Sequence, residues 1–590
     1  MMNHSAFSII FASAEILFVP LCTLCSRNNA MKWLTPLLIA ALCSFSNAQW
    51  SANPDSNSWI PKGGYEQVPL ADTDGEGGVI VAWDENFGYG GIWANRVDKH
   101  GYYRWGLNGV RVSPPGGLRN VTNVISDGRS GALIVWDDYS KSDPSAQRPE
   151  NEIYVQRIDS TGRILWNASG VLIRARIPQS QCGDYWIVTS DHNTFIISWN
   201  DDRRTLAPDP YDFYAQRIDL DGKLYWQANG KRLNEETNVT TGTRRVIEDS
   251  ENGFLMVWFN PAGQQDVIVD RFSRTGEMVW SQGHVHANTG GAFEAVTDGQ
   301  GGVIVVGAYF PGGGFVSQGR IQRIDRNGCL CWSDSAVVFV RNRKQYLSHR
   351  IVPTLHSGAT VTWSDCQSLD SERHFLAFDS TGKILWQRDD FRFCLQTQNH
   401  PIAVPDGLGN MILLINDYQR SSQNHQGYQV ALKIDAAGNA TWSKEGVLFR
   451  HRTFDDWPFE LVGVADGQGG VIVVWEDGHP GTFSDIALQQ INAAGQLGQV
   501  LTSVKEHKSS SVIRDFIVKQ NYPNPFNPVT QIVIETKQPV EISCRIFDVS
   551  GKEVITLLDK KRCLGKEMIK WQGQDRLGNR VSSGIYFYEV

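Results

Sequence analysis

Basic clusters are scarce in this 590-residue sequence: no run of Lys or Arg exceeds the Lys560-Lys561-Arg562 triplet, and the formal net charge is −8. A phosphate backbone is bound by a concentrated positive face, so nucleic acid is not an expected partner. Charged residues make up only 20% of the chain, which argues against a solvated helical or disordered protein. Catalytic signatures are missing too. There is no Gly-x-Ser-x-Gly elbow, no His-Glu-x-x-His pair and no phosphate loop, and the histidines are scattered singly. No catalytic or metal-ligating residue is therefore assigned. Beyond residue 48 no stretch approaches the roughly 18 apolar residues of a membrane span, so no transmembrane segment is expected in the mature chain.

What is present points to strands and turns. Aromatics reach 11%, with 20 Trp beside 56 Gly; rings suit half-buried pleated surfaces and glycine suits tight turns. The expected fold class is all-β. At the N-terminus, Met31-Lys32-Trp33 leads into Leu37–Leu42 and then Ser46-Asn47-Ala48, which is the basic, apolar and small-residue order of a secretory signal peptide over residues 31–48. Residues 1–30 then read as an upstream extension from a mis-called start codon. A lipoprotein reading of Cys43 is weaker, because Leu42 stands where a small residue is needed. Of ten cysteines, Cys22, Cys25 and Cys43 precede the cleavage site, and the odd seven left argue against a full disulfide framework. Cys544 and Cys563 fall in neighbouring expected strands and could pair. Cys329 and Cys331 read as packing residues, since two ligands alone do not make a zinc shell.

A repeat fills residues 49–504. The second copy shows it as Asp127-Gly128, Leu133–Asp138, Ile153–Asp159, Gly162 and Ile164-Leu165-Trp166. The closing Trp returns at 105, 166, 226, 280, 332, 386 and 442, with spacings of 61, 60, 54, 52, 54 and 56. An eighth copy starts at Asp466 and carries Gly498 where the closing Trp would stand. Units near 50 residues with several short strands predict propeller blades, because one four-stranded sheet cannot bury both faces alone. The first copy places its strands at Gln67–Ala71, Val79–Trp83, Ile92–Val97 and from Tyr102. Apolar runs such as Val471–Trp475 fit strands covered on both sides. An eight-bladed ring is preferred to an open stack, since neither end carries a polar capping repeat.

The Asp-Gly-x-Gly-Gly turns at Asp74, Asp298 and Asp466 read as hairpins ahead of calcium loops. Arg96, Arg157, Arg217 and Arg323 read as a ladder of inter-blade polar contacts. The spacing Asp159, Gly162, Trp166 does not match the sialidase Asp-box. It comes nearer the tryptophan-docking motif of pyrroloquinoline quinone propellers, which has one more residue between Asp and Gly and an adjacent Cys-Cys pair that this chain lacks. The shared element is an indole from the last strand filling the gap to the next blade.

Loops between the second and third strands vary most in length and should emerge on one face. Their roots carry Asp84, Asp137, Asp138, Asp201, Asp202, Asp365, Asp417 and Asp477, with Phe87, Tyr89, Tyr139, Tyr211 and Tyr418 nearby. Such a crown could take a cation or a basic or polyhydroxy ligand. Strand-end turn chemistry, with Asp capping local amides, is the leading structural alternative. No cofactor is expected, calcium being the one ion those acids could take. The expected function is an exported, monomeric binding or structural protein presenting this face to a glycan or protein; a carboxylate-dependent polysaccharide hydrolase or lyase is the alternative.

After a polar linker at 505–514, residues 515–590 open with Asn521-Tyr522-Pro523-Asn524-Pro525-Phe526-Asn527-Pro528 and end with Gly584-Ile-Tyr586-Phe-Tyr588. Short strands with Gly turns predict a small immunoglobulin-like sandwich. On those two strings the module resembles the type A sorting domain of the type IX secretion system, and more loosely the immunoglobulin-like domain of flagellar hook-assembly proteins. The resemblance implies type IX secretion machinery as a partner, and a secreted or outer-surface location. Family members normally continue into a last strand with a basic end, which is not found before Val590.

Overall fold

The computed structural model describes residues 7–12 and most of 50–498 and 516–590. The expected signal peptide and linker, and the string Pro523–Pro528, lie outside the described residues. Every named element is a strand, and no helix among the described residues is long and apolar enough to cross a membrane. The chain divides into two units, Ala48–Val500 and a second made of Met1–Asn47 with Leu501–Val590.

The first unit contains eight four-stranded antiparallel sheets. In blade 1, Glu66–Thr73, Val79–Glu85, Gly91–Val97 and Val110–Arg111 run from the inside outward. The inner strands of blades 2 to 8 are Arg119–Ser126, Cys182–Asp191, Arg244–Glu248, Glu294–Thr297, Leu347–Pro353, Ile402–Pro405 and Leu461–Ala465. Each inner strand meets the next, and that of blade 8 meets that of blade 1, so the ring closes around a central channel. Blade 8 takes its outer strand, Ser58–Trp59, from the beginning of the ring sequence, where it pairs with Ser484–Ile491. The two ends of the array are thereby stitched into one sheet.

Side-chain alternation builds the core between the blades. Val79, Val81 and Trp83 pack with Ile472, Val474 and Leu488 of blade 8, whereas Ile80 and Ala82 pack with Ala132, Ile134 and Trp136 of blade 2. A second strand buried on both sides cannot alternate apolar with polar, which is why these runs are continuously aliphatic. The outer strand of blade 1 differs from its expected start at Tyr102. Tyr103 makes only an isolated bridge to Val97, and the strand resumes at Val110. Gly106 and Gly109, both at positive φ, interrupt it; in blade 6 the glycine-free stretch Ile384–Arg392 is one continuous outer strand.

The closing indoles seal neighbouring blades. Trp105 Nε1 donates to the Ser160 carbonyl at 3.2 Å, Trp332 to Ser380 at 2.9 Å and Trp442 to Ala493 at 3.0 Å, each acceptor lying two residues before the turn glycine of the next blade. Trp50 makes the same bond to Lys99 at 2.9 Å. The indole that Gly498 does not provide thus comes from upstream of blade 1.

The Asp-Gly turns are hairpins held by their own aspartate. Asp74 Oδ1 accepts from the amides of Glu76 and Gly78, and its other oxygen accepts from Arg96 Nε at 2.9 Å. Asp127 with Arg157 and Asp298 with Arg323 repeat this pattern. These arginines therefore pair first within their own blade, and reach across only through bonds such as Arg157 to the Leu220 carbonyl. The reason is that the third strand returns beside the turn that precedes the second.

In the second unit, Phe516–Tyr522, Thr530–Asp548, Glu553–Trp571, Gly584–Glu589 and Phe7–Ala12 form one hydrogen-bonded network of five strands. Thr530–Asp548 pairs with Phe516–Tyr522 near its start and with Gly584–Glu589 near its end, with register shifts between. Phe7–Ala12 pairs with Gly584–Glu589 at the edge. The described strands thus belong to one hydrogen-bonded network. Ile532, Ile534, Ile546, Trp571, Tyr586 and Tyr588 form its core. Cys544 and Cys563 are both free, because register sets Cys563 opposite Val540 and Cys544 opposite Leu558.

Candidate functional site

In blades 1, 2 and 3 the start of the inner strand pairs with the end of the second: Gln67 faces Asp84, Asn120 faces Asp137 and Cys182 faces Asp201. The acidic strand ends therefore share one face with the mouth of the channel. Four of them are committed to ion pairs. Arg119 holds Asp138 at 2.7 Å, Arg174 holds Asp201 at 3.0 Å, Arg148 pairs with Asp202, and Arg450 pairs with Asp477. Asp201 also accepts from Trp199 Nε1 at 3.1 Å. Burial alone would raise its pKa, yet Arg203 and Arg174 hold it below the ordinary carboxylate value. Asp417 stands at the end of its strand opposite Tyr428. Asp365 lies outside the described residues, as do Phe87 and Tyr418.

Asp84 and Asp137 are different: both are buried, and neither has a cationic partner among the described residues. Asp84 accepts one bond, from the Val121 amide of blade 2 at 2.7 Å. Burial pushes its pKa up to about 8, the Val121 amide offsets part of this, and Asp137 adds repulsion. Asp137 accepts from Asn120 Nδ2 at 3.0 Å and from the Tyr185 hydroxyl at 3.2 Å, with the Tyr139 hydroxyl also against it. Burial raises it to about 6 despite these donors. Near neutral pH the pair thus holds one protonated acid and one carboxylate. Two carboxyls pushed apart in this way can donate and accept protons, or grip hydroxyl groups.

Behind them lies a polar support that sequence spacing did not disclose. Asn151 Nδ2 donates to the Tyr185 hydroxyl at 2.6 Å, and its amide oxygen accepts from the Cys182 amide at 3.1 Å. Arg174, with no exposed side-chain surface, donates to the Asn151 carbonyl and to Ser180 Oγ, both at 2.6 Å. Burial pushes the Cys182 thiol up to about 12, so it stays protonated and inert. Tyr89 is exposed, and the half-buried Tyr211 bonds Arg148, which also donates to Gln181 at 3.0 Å. Among the described residues no group of three or more His, Cys, Asp or Glu is placed to hold a metal ion.

In the second unit, Asn521 is buried and donates to Thr530 Oγ1 at 2.9 Å. Tyr522 ends the first strand of that unit opposite Gln531. Gly584 begins the last strand, and Tyr586 is buried against Trp571 with ring centroids 5.0 Å apart.

Comparison with protein families finds no match, and neither does comparison with curated proteins. Solved structures similar to this chain include the polysaccharide lyase Uly1 at 9% identity and a TM-score of 0.38, covering 65% of this chain and 92% of that one. A PL25 ulvan lyase bound to -[GlcA(1-4)Rha3S]- matches at 8% identity and 0.39, covering 76% and 98%. The β-propeller domain of the Trilobed protease from Pyrococcus furiosus matches at 9% identity and 0.33, covering 63% and 95%.

Proposed function

We propose that the chain is an exported, cell-surface or secreted propeller that binds a glycan at the channel mouth, with residues 515–590 acting as a type IX sorting module. The observation that carries the binding reading is the buried pair Asp84 and Asp137, flanked by Tyr139 and Tyr185 and, among the described residues, without a guanidinium partner. A neutral carboxyl, a carboxylate and two phenols form a set suited to sugar hydroxyls, which both donate and accept. The sorting role is supported by the Asn521–Pro528 and Gly584–Tyr588 strings. A glycan array probed with the full chain tests the binding reading. Asp137→Asn and Tyr185→Phe should each abolish the wild-type signal while thermal melting shows the ring still folded. Unchanged signals would remove this site. Deleting residues 515–590 should leave the protein inside the outer membrane of a type IX-competent bacterium, and continued release would refute the sorting role.

A second reading is favoured by the separated pKa values of about 8 and about 6: a hydrolase or lyase using Asp84 as acid and Asp137 as base. The same array ligands, followed for new reducing ends or unsaturated products, distinguish turnover from binding.

A further inference from the structure

One level of the channel carries an unequal girdle of side chains. Arg245 lies opposite Val257, Glu294 opposite Val306 and Arg350 opposite Thr362, so blades 4, 5 and 6 place these three at one height, close to the loop face. Trp186 of blade 3 and Asn123 of blade 2 continue the same level, opposite Ser198 and Val135. Blades 7, 8 and 1 put aliphatic residues there. Glu294 Oε1 accepts from Arg245 at 3.2 Å and from Arg350 at 2.9 Å, so two guanidiniums share one carboxylate. Arg350 is further fixed by the Pro401 carbonyl at 2.6 Å. The Arg245 guanidinium lies 5.8 Å from the centre of the Trp186 ring.

A closed structural triad would occupy all its donors; this one does not. Among the described residues, Arg245 Nε and Nη1 and Arg350 Nη2 have no protein acceptor. Their side chains are 35% and 23% exposed, so these donors are open to water. The girdle carries one excess positive charge, a preset fork geometry and an indole face beside it. Planar guanidiniums in this state suit a carboxylate or sulfate group. Asn123 Nδ2 donates to the Tyr185 carbonyl at 3.0 Å, which joins the girdle to the network around Asp137.

We propose that Arg245 and Arg350, held by Glu294, form an anion subsite for the carboxylate or sulfate of an acidic glycan, with Trp186 beside it to meet a sugar ring. This rests on the glycan reading above and names the class of glycan. The test measures binding of the full-length protein, at fixed ionic strength, to trigalacturonate, its methyl ester, and a sulfated trisaccharide with its desulfated counterpart. At least one anionic probe should bind about tenfold more tightly than its uncharged partner. Arg245→Gln and Arg350→Gln should erase that difference while leaving the uncharged probes unaffected, and Arg350→Lys should restore only part of it. If Arg350→Gln fails to fold, Arg245→Gln decides alone. The carboxylate and sulfate arms tell the two anion sources apart. Equal affinity for charged and uncharged probes overturns the anion subsite and leaves the glycan reading intact, whereas binding of no probe removes both. An anionic preference that survives both Gln variants also overturns it.

Discussion

Trp50 Nε1 donates to the carbonyl of Lys99 at 2.9 Å, and this bond supplies the ring with the indole seal that the eighth repeat lacks. Trp50 packs with Tyr103 of blade 1 and with Ile486 and Leu488 of blade 8, at 3% exposure. Trp50→Ala should therefore cost about 3–5 kcal/mol, as other buried Trp truncations do. Its loss of melting temperature should match that of Trp442→Ala, which opens an internal seam. If Trp50→Ala melts like wild type, the upstream indole does not close the ring.

Gly162 and Gly128 separate two reasons for glycine. Both have positive φ, but a Cβ at Gly162 would come within 2.9 Å of the Trp105 ring, whereas one at Gly128 would meet nothing within 4 Å. Gly128→Ala should cost about 1 kcal/mol, the left-handed backbone penalty alone. Gly162→Ala carries the same penalty and must also displace the indole that seals blades 1 and 2. Denaturant titrations should rank Gly162→Ala clearly below Gly128→Ala; equal losses would mean that the indole seat has slack.

The blades were legible because the closing Trp recurs, and even Trp50 could have been read: it precedes Trp105 by 55 residues, inside the range of the other spacings. The acidic strand ends were legible by position, but their neutralisation was not. Arg119, Arg148 and Arg174 lie 19, 54 and 27 residues before their partners, with no shared period. The Arg245–Glu294–Arg350 girdle depends on register. Shifts at Gln67/Leu70, Val121/Asn123 and Leu347/Arg350 alter the count along inner strands, and a slip of one residue moves a side chain to the other face.

Arg174 and Asp201 form an ion pair with no exposed side-chain surface, while Arg163 and Asp159 form one in which the Arg side chain is 75% exposed. Arg174→Ala removes one of the two cations on a buried carboxylate, Arg203 remaining, and strands the Asn151 carbonyl, so it should cost about 3 kcal/mol, the lower end for a broken buried pair. Arg163→Ala should change stability by less than about 1 kcal/mol. Guanidinium unfolding of the two variants side by side checks this. Similar losses from both would contradict the burial argument.

The raised pKa of Asp84 makes stability depend on pH with a definite sign. Below about pH 4 both the folded and unfolded chains carry its proton. Between there and about pH 8 the unfolded chain has lost the proton while the folded one keeps it, so folding takes up a proton and stability falls as pH rises. Asp137, raised to about 6, adds to the same slope at the acid end of the window. Asp84→Asn keeps an oxygen for the Val121 amide and cannot ionise. It should match wild type near pH 4 and gain stability progressively toward pH 8, by about 1 kcal/mol or more. Denaturant midpoints measured at several pH values across that window decide the matter, and parallel curves for the two proteins would show that Asp84 ionises freely in the folded ring.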